Sequence, residues 1–357
     1  MGAGRGYAQT VNGPLAAADL GLTLMHEHIL CDLRDPLGRR AAPSADPPIT
    51  MENRFEIDYF QNRHQTNMLL DEDEVALAEL RHFRAAGGGT IVELSTGGLA
   101  PQPARLAALA KASDVHIVLG GGFYTDAYLD AATRDASVET LEELLLSQVT
   151  TGAWGTAIRA GIIGELGCSW PLRESERRVL IAAARVQRRT GIAISIHPGR
   201  HADAPAQIAE IMLTAGADPD RTVLCHMDRT LSDENRILDL LMRGFVLEWD
   251  FFGIETSHYW MGDYDLPTDY MRLDLMRRLI DRGHLCRLAM SQDICIRTRL
   301  TRYGGHGYSH IPLHVMPMMA RRGFSETEIE QILCDTPIRL LCYLSLTGEI
   351  DSRTASP

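Results

Sequence analysis

The sequence predicts a (β/α)8 TIM barrel: an α/β fold in which one closed parallel sheet is ringed by helices. Three observations predict it. Short β-rich apolar runs alternate with longer amphipathic stretches, which is how parallel βα units read. Eight such runs are present, each followed by a helical pattern or a gap that would hold one. No linker, further repeat or low-complexity stretch interrupts the series, so a single domain over residues 1–350 is expected.

Taken in order, the first strand is expected at 22–30, LTLMHEHIL. The irregular segment from Cys31 to about Leu70 follows, with Pro36, Pro43, Pro47 and Pro48. Loops of that length usually carry function or lack structure, and this one would hang over the C-terminal mouth of the barrel. A helix at 73–86 leads to strands at 90–94 and 115–119, and a helix at 138–149 leads to a strand at 161–165. Further helix and strand pairs follow at 174–189 with 192–197, and at 205–214 with 222–226. The helix at 232–242, opening at Ser232 and stopping at Gly244, precedes a strand at 245–249. The helix at 270–281, stopped by Gly283, precedes the last strand at 288–291. A second long segment, 295–309, follows that strand, and the tail 351–357 is expected to be disordered.

Composition narrows the function. A net charge of -12 argues against a phosphate-backbone ligand, so no nucleic-acid partner is expected. No apolar run approaches the roughly 20 residues needed to cross a bilayer. The first ten residues lack the apolar core of a secretory signal. Gly2 does not open a myristoylation motif, because Gly6 stands where Ser or Thr is required. The seven cysteines are dispersed and form no CxxC pair, the pattern of reduced thiols in a cytoplasmic protein.

The chemistry lies at the ends of the strands. His26 and His28 alternate with Glu27 on the first strand, so both imidazoles face one way and Glu27 the other. His197 ends the fifth strand and His226 the sixth; Glu165 and Asp293 sit at or just past the ends of the fourth and eighth. Any one of these is more commonly a capping or packed residue. Their spacing makes the set specific. Glu165, His197 and His226 are each about 30 residues apart, one βα unit, and Asp293 lies about two units further on. All six therefore converge on the C-terminal mouth, where such barrels keep their active sites. Four histidines and two carboxylates suit borderline cations such as zinc, and they suffice for two divalent ions sharing one carboxylate. Water between two such ions is acidified toward neutral pH, and Asp293 can take its proton as a general base. Cys225, next to His226, is expected to face the helices.

With these residues placed, the chain resembles the phosphotriesterase family of the amidohydrolase superfamily. The likeness covers nearly the whole chain and is carried by GIIGELGCSWPL from Gly161, HPGR from His197, HMDRT from His226, LTRYGGHGYSHI from Leu300 and GGGFYTD from Gly120. The family pattern implies metal ligation by His26, His28, Glu165, His197, His226 and Asp293. It implies that His26, His28, Glu165 and Asp293 hold the more buried ion and Glu165, His197 and His226 the other. It also implies Zn2+, with Mn2+ or Co2+ as substitutes. Where the phosphotriesterases proper carry a carboxylated lysine as the bridge, this sequence has Glu165, which needs no bicarbonate. That branch of the family implies hydrolysis of N-acetyltaurine or a related N-acyl amino acid, with Asp293 as the catalytic base.

An anionic substrate of that kind needs a cationic partner, and Arg200 and Arg229, just past two of the histidines, are the candidates. Either would equally serve in a salt bridge to a neighbouring loop acid. Tyr124, Tyr303 and His306 are further candidates for the mouth. Lactones and phospho- or carboxylate esters are alternative substrates for the same metals. A non-catalytic metal-binding protein is disfavoured, because every metal position is filled. A small-molecule substrate, no membrane partner and, by analogy with such barrels, a homodimer complete the expectation.

Overall fold

The computed structural model describes residues 6–36, 46–256, 258–259, 261–262 and 265–343. Its centre is an eight-stranded parallel sheet whose strands follow one another in chain order. Numbering the barrel strands alone, they are β1 Leu22–Glu27, β2 Gly88–Glu93, β3 His116–Gly121, β4 Ile162–Gly167, β5 Ile194–His197, β6 Thr222–Leu224, β7 Val246–Trp249 and β8 Leu288–Met290. Each expected strand is present, with ends shifted by a few residues. The sheet closes between β8 and β1 just beyond the strand ends, where Asp293 N–H donates to His26 O and His28 N–H donates to Ile294 O, both at 3.2 Å.

Alternation along the strands divides the apolar residues between two cores. On β5, Ile194 and Ile196 point outward to the helices, and Ala193 joins Val118, Ile162, Val223, Val246 and Ala289 inside the barrel. Each fully buried aliphatic side chain contributes roughly 1.5–3 kcal/mol, so both layers resist slippage of the register. Helices fill the gaps as the amphipathic pattern requires. In Asp73–Ala85 the residues Ala76, Leu80 and Phe83 lie on one buried stripe. Glu174–Thr190 ends at Gly191, whose φ of 73° closes the helix without strain. The helix expected to open at Ser232 is Glu234–Met242 instead. Asp233 is its cap, its carboxylate accepting the Asn235 N–H at 2.9 Å.

The structure adds elements that periodicity did not reveal. A helix at Pro103–Ser113 separates β2 from β3. A hairpin of Tyr7–Thr10 and Gly13–Ala16 crosses the N-terminal end of the barrel, and Tyr7–Thr10 also pairs antiparallel with Cys342–Tyr343. Part of the long segment after β1 forms a short helix, Arg54–Tyr59, tied to the loop after β8 by Arg54 bonds to Tyr303 O and Thr298 O. Residues 37–45 of that segment, and the tail 351–357, lie outside the described residues. Among the described residues no helix is long and apolar enough to cross a membrane.

Candidate metal centre

The six residues singled out by spacing meet at the C-terminal mouth of the barrel, and all six are buried. Glu165 is central. Its Oε1 lies 3.4 Å from His28 Nε2, while its Oε2 lies 2.8 Å from His197 Nδ1, 3.4 Å from His226 Nε2 and 3.7 Å from His26 Nε2. Asp293 Oδ1 stands 3.6 Å from His26 Nε2 and 3.3 Å from His28 Nε2. Two donor sets result, His26 with His28 and Glu165, and Glu165 with His197 and His226. They share the one carboxylate. Gly164 makes this approach possible: at its φ of 129°, a Cβ would meet Ser195 O at 2.2 Å.

These donors fit divalent cations. Both ring nitrogens of His26 are buried without a hydrogen-bond partner among the described residues. His197 Nδ1 and His226 Nε2 stand only 2.9 Å apart, aimed at the same oxygen. Imidazole nitrogens and carboxylate oxygens packed this way suit zinc-like ions, whose bonds to nitrogen and oxygen are about 2.0–2.2 Å. Burial alone would raise both carboxyls. For Glu165 the nearby His197 and His26 outweigh it, and for Asp293 the His28 hydrogen bond and the charges of His226 and His26 do so. Both are held well below the ordinary carboxylate range and are anionic at neutral pH.

Two of the six leave the strand geometry. His226 and Asp293 lie past the ends of β6 and β8 with φ of 56° and 48°, a left-handed conformation that costs a side-chain-bearing residue roughly 1–2 kcal/mol. At His226 the conformation is held by Asp250, just past β7. Its Oδ1 lies 2.8 Å from His226 Nδ1 and its Oδ2 accepts the His226 N–H at 3.0 Å. Sequence reasoning missed Asp250, although a carboxylate at the end of the seventh strand was a visible signal. The turn at His226 also corrects the expected direction of Cys225. Alternation carries on past Leu224, so Cys225 faces the barrel interior with Val223, 3.0 Å from Ser195 Oγ and 3.4 Å from Glu248 Oε2, and the left-handed φ of His226 is what turns the next side chain into the mouth as well. His28 is steadied by Ser95 Oγ, 3.0 Å from its Nδ1.

A cavity of about 120 Å³ opens above the centre. His28, Glu165, His197, His226 and Asp293 form its floor, and Tyr124, Arg200, Arg229 and Arg299 stand in its walls. Arg200 Nε donates to Tyr259 Oη at 2.6 Å. Burial works against its charge, but Tyr259 and Tyr124 outweigh that and raise it above the ordinary value. Arg229 Nη2 donates to Pro198 O at 3.0 Å and lies 3.1 Å from His197 Nε2. Arg299, not anticipated, donates to Asp293 O. Tyr303 and His306 do not line this cavity. Tyr303 is drawn outward, its hydroxyl donating to Glu72 Oε2 at 3.0 Å. His306 faces a separate cleft shared with His82, His310 and His314. The segment after β8 therefore contributes Arg299 to the cavity wall and leaves those two outside.

Comparison with known proteins agrees with this geometry. The chain is 42% identical over 352 residues to the N-acetyltaurine hydrolase of Salmo salar, covering 96% of this chain and 100% of that relative. Its fold is similar to a Resiniferatoxin-binding protein from Rhodobacter sphaeroides, with TM-score 0.87 and 31% identity over 94% of this chain and 95% of the other. A mutant of a PTE-like lactonase from Deinococcus radiodurans aligns with TM-score 0.74 and 28% identity, over 94% of this chain and 99% of the other. Residues 6–341 match the model of the Phosphotriesterase family, a family of metal-dependent hydrolases, and the chain belongs to that family.

Proposed function

We propose that this chain hydrolyses the amide of N-acetyltaurine or a related N-acyl amino acid, with two divalent ions at the centre, zinc before manganese or cobalt. The observation that carries the reading is the pair Arg200 and Arg229 in the wall of a small cavity whose floor is the donor cluster. A guanidinium binds a sulfonate or carboxylate through two parallel hydrogen bonds, so the cavity suits a substrate with an anionic end. The relatives named N-acetyltaurine hydrolase support the same class.

In this reading His26, His28, Glu165 and Asp293 would hold one ion, and Glu165, His197 and His226 the other. When bound, such ions acidify a water toward neutral pH and polarise an acyl oxygen. Glu165 joins both donor sets as an unmodified carboxylate. Asp293, kept anionic by its imidazole neighbours, accepts the proton of the attacking water and returns it to the leaving amine. The water oxygen bonds to the acyl carbon, the C–N bond breaks, and acetate and the free amine leave. Arg200 and Arg229 hold the anionic end and so fix the amide over the floor.

The test is taurine release from N-acetyltaurine by metal-loaded protein, beside Asp293→Ala and Arg200→Met. Release by the parent chain is expected, with turnover lost in the folded Asp293 variant. Losing hydrogen bonds to a charged group, about 1.5–3 kcal/mol, should lower kcat/KM of the Arg200 variant roughly 10–150-fold. No release by metal-replete parent protein refutes the substrate. The second reading, lactone hydrolysis, is favoured by the likeness to the Deinococcus radiodurans lactonase, and a lactone panel run beside the amide discriminates. A single catalytic unit over 1–350, a homodimer and a cytoplasmic location complete the proposal. The cysteines, none of them in a disulfide, support a reducing compartment.

A further inference from the structure

The residue between the two strand-1 histidines has a role that the ligand pattern leaves unassigned. Glu27 is fully buried and points away from the donor cluster, into the seam between β1 and β8. Its Oε1 accepts the Ser291 hydroxyl at 2.7 Å and the Gln292 N–H at 2.9 Å, and its Oε2 accepts the Ile294 N–H at 2.9 Å. Between those two amides lies Asp293, whose own N–H donates to His26 O at 3.2 Å. Three successive amides, 292 to 294, are therefore fixed to residues 26 and 27. Ser291 Oγ completes the ring by accepting the His26 N–H at 3.0 Å.

The geometry explains the unusual backbone at Asp293. A residue in the left-handed region turns the amides on either side of it toward one point, making a concave nest for an anion. Here the acceptor is built in: it is the Glu27 carboxyl group, which takes both amides. Filling the nest offsets the cost of the left-handed φ at Asp293 and holds its Oδ1 within 3.3–3.6 Å of the two histidines that Glu27 joins. We infer that Glu27 is a positioning residue for Asp293, clasping the loop after β8 so that this carboxylate meets His26 and His28 at one metal position. This rests on the reading of Asp293 as a metal-binding base.

The test uses the full chain loaded with Co2+, reading the visible absorption of the bound ion, its rate of loss to a chelator, and kcat separately from KM. Asp293→Ala tests the underlying reading: an unchanged cobalt spectrum there refutes Asp293 as a ligand, whatever Glu27 does. Glu27→Gln keeps the size of the side chain but turns one acceptor into a donor facing an N–H. It is expected to shift the cobalt spectrum in the direction of Asp293→Ala, speed metal loss about 10–100-fold and lower kcat with KM changed less than about threefold. Ser291→Ala, which removes two bonds of the ring but leaves both amide bonds to the Glu27 carboxyl group, should give the same direction at smaller size, and it carries the test if the Glu27 variant does not fold. Folded variants with the parent spectrum and the parent rate of metal loss, while Asp293→Ala alters both, would overturn the clasp.

Discussion

Asp250→Asn is the most informative perturbation outside the six candidate ligands. The Asp250 carboxylate meets two donors of one residue, His226 Nδ1 at 2.8 Å and His226 N at 3.0 Å. An amide has one acceptor atom, so either the ring or the backbone must face an NH2 group. One hydrogen bond to a charged group is lost, which costs about 1.5–3 kcal/mol. At about 1.4 kcal/mol per tenfold, metal should bind roughly 10–150-fold more weakly. That overlaps the 10–100-fold typical when the partner of a metal-bound imidazole is removed. Asp250 Oδ2 also lies 3.4 Å from His26 Nδ1, so the loss falls on both donor sets. The assay is competition for Zn2+ against a chromophoric chelator at neutral pH, with circular dichroism to confirm the fold. Affinity within about threefold of the parent in a folded protein would refute the argument that Asp250 orients His226.

Other predictions concern stability and the bridge. Arg272 is buried between Asp228 at 2.5 Å and Asp269 at 2.7 Å; Asp269 also meets His310, so Arg272→Met leaves Asp228 without its cationic partner and should cost about 3–5 kcal/mol in denaturant unfolding. A loss below about 1 kcal/mol would show that the cluster is not held by charge. Glu165 is an unmodified carboxylate, so reconstitution with and without bicarbonate should give similar activity; a large gain with bicarbonate would contradict its bridging role. The Arg277 guanidinium hydrogen-bonds Glu328 at the surface and lowers its pKa to about 2. Because the folded value is depressed, the stabilisation is complete above the unfolded value of about 4.3 and disappears as pH falls toward 2. Parent and Glu328→Gln melting curves should therefore converge across that window and stay apart above it.

The barrel was legible because its physics is periodic. Eight apolar runs at βα spacing announce a closed parallel sheet, and polar residues at their C-terminal ends announce the mouth. What escaped was what period cannot encode. The helix at Pro103–Ser113 is short and alanine-rich, with little contrast between its faces. Cys225 is expected outward because His226 faces the mouth, but alternation holds through Cys225 and the left-handed turn at His226 is what departs from it. Asp250 acts on an amide brought close by pairing of β6 with β7, and Glu27 on amides brought close by barrel closure, relations no local window contains. Tyr303 and His306 were placed by sequence proximity to β8, whereas the loop directs them to Glu72 and to a histidine-lined cleft.

The pairing of Tyr7–Thr10 with Cys342–Tyr343 brings the first and last described strands side by side. They lie at the opposite end of the barrel from the metal centre. Topologically the described residues 6–343 are close to a ring, sealed on the side away from the candidate metal centre. A short splice between Tyr7 and Tyr343, with a new opening cut in an exposed helix connection, would keep every barrel strand beside its neighbours. The seal also separates two kinds of change. Alterations at the hairpin act on folding, and alterations in the mouth loops act on which substrate is accepted, so the two can be varied with little interference.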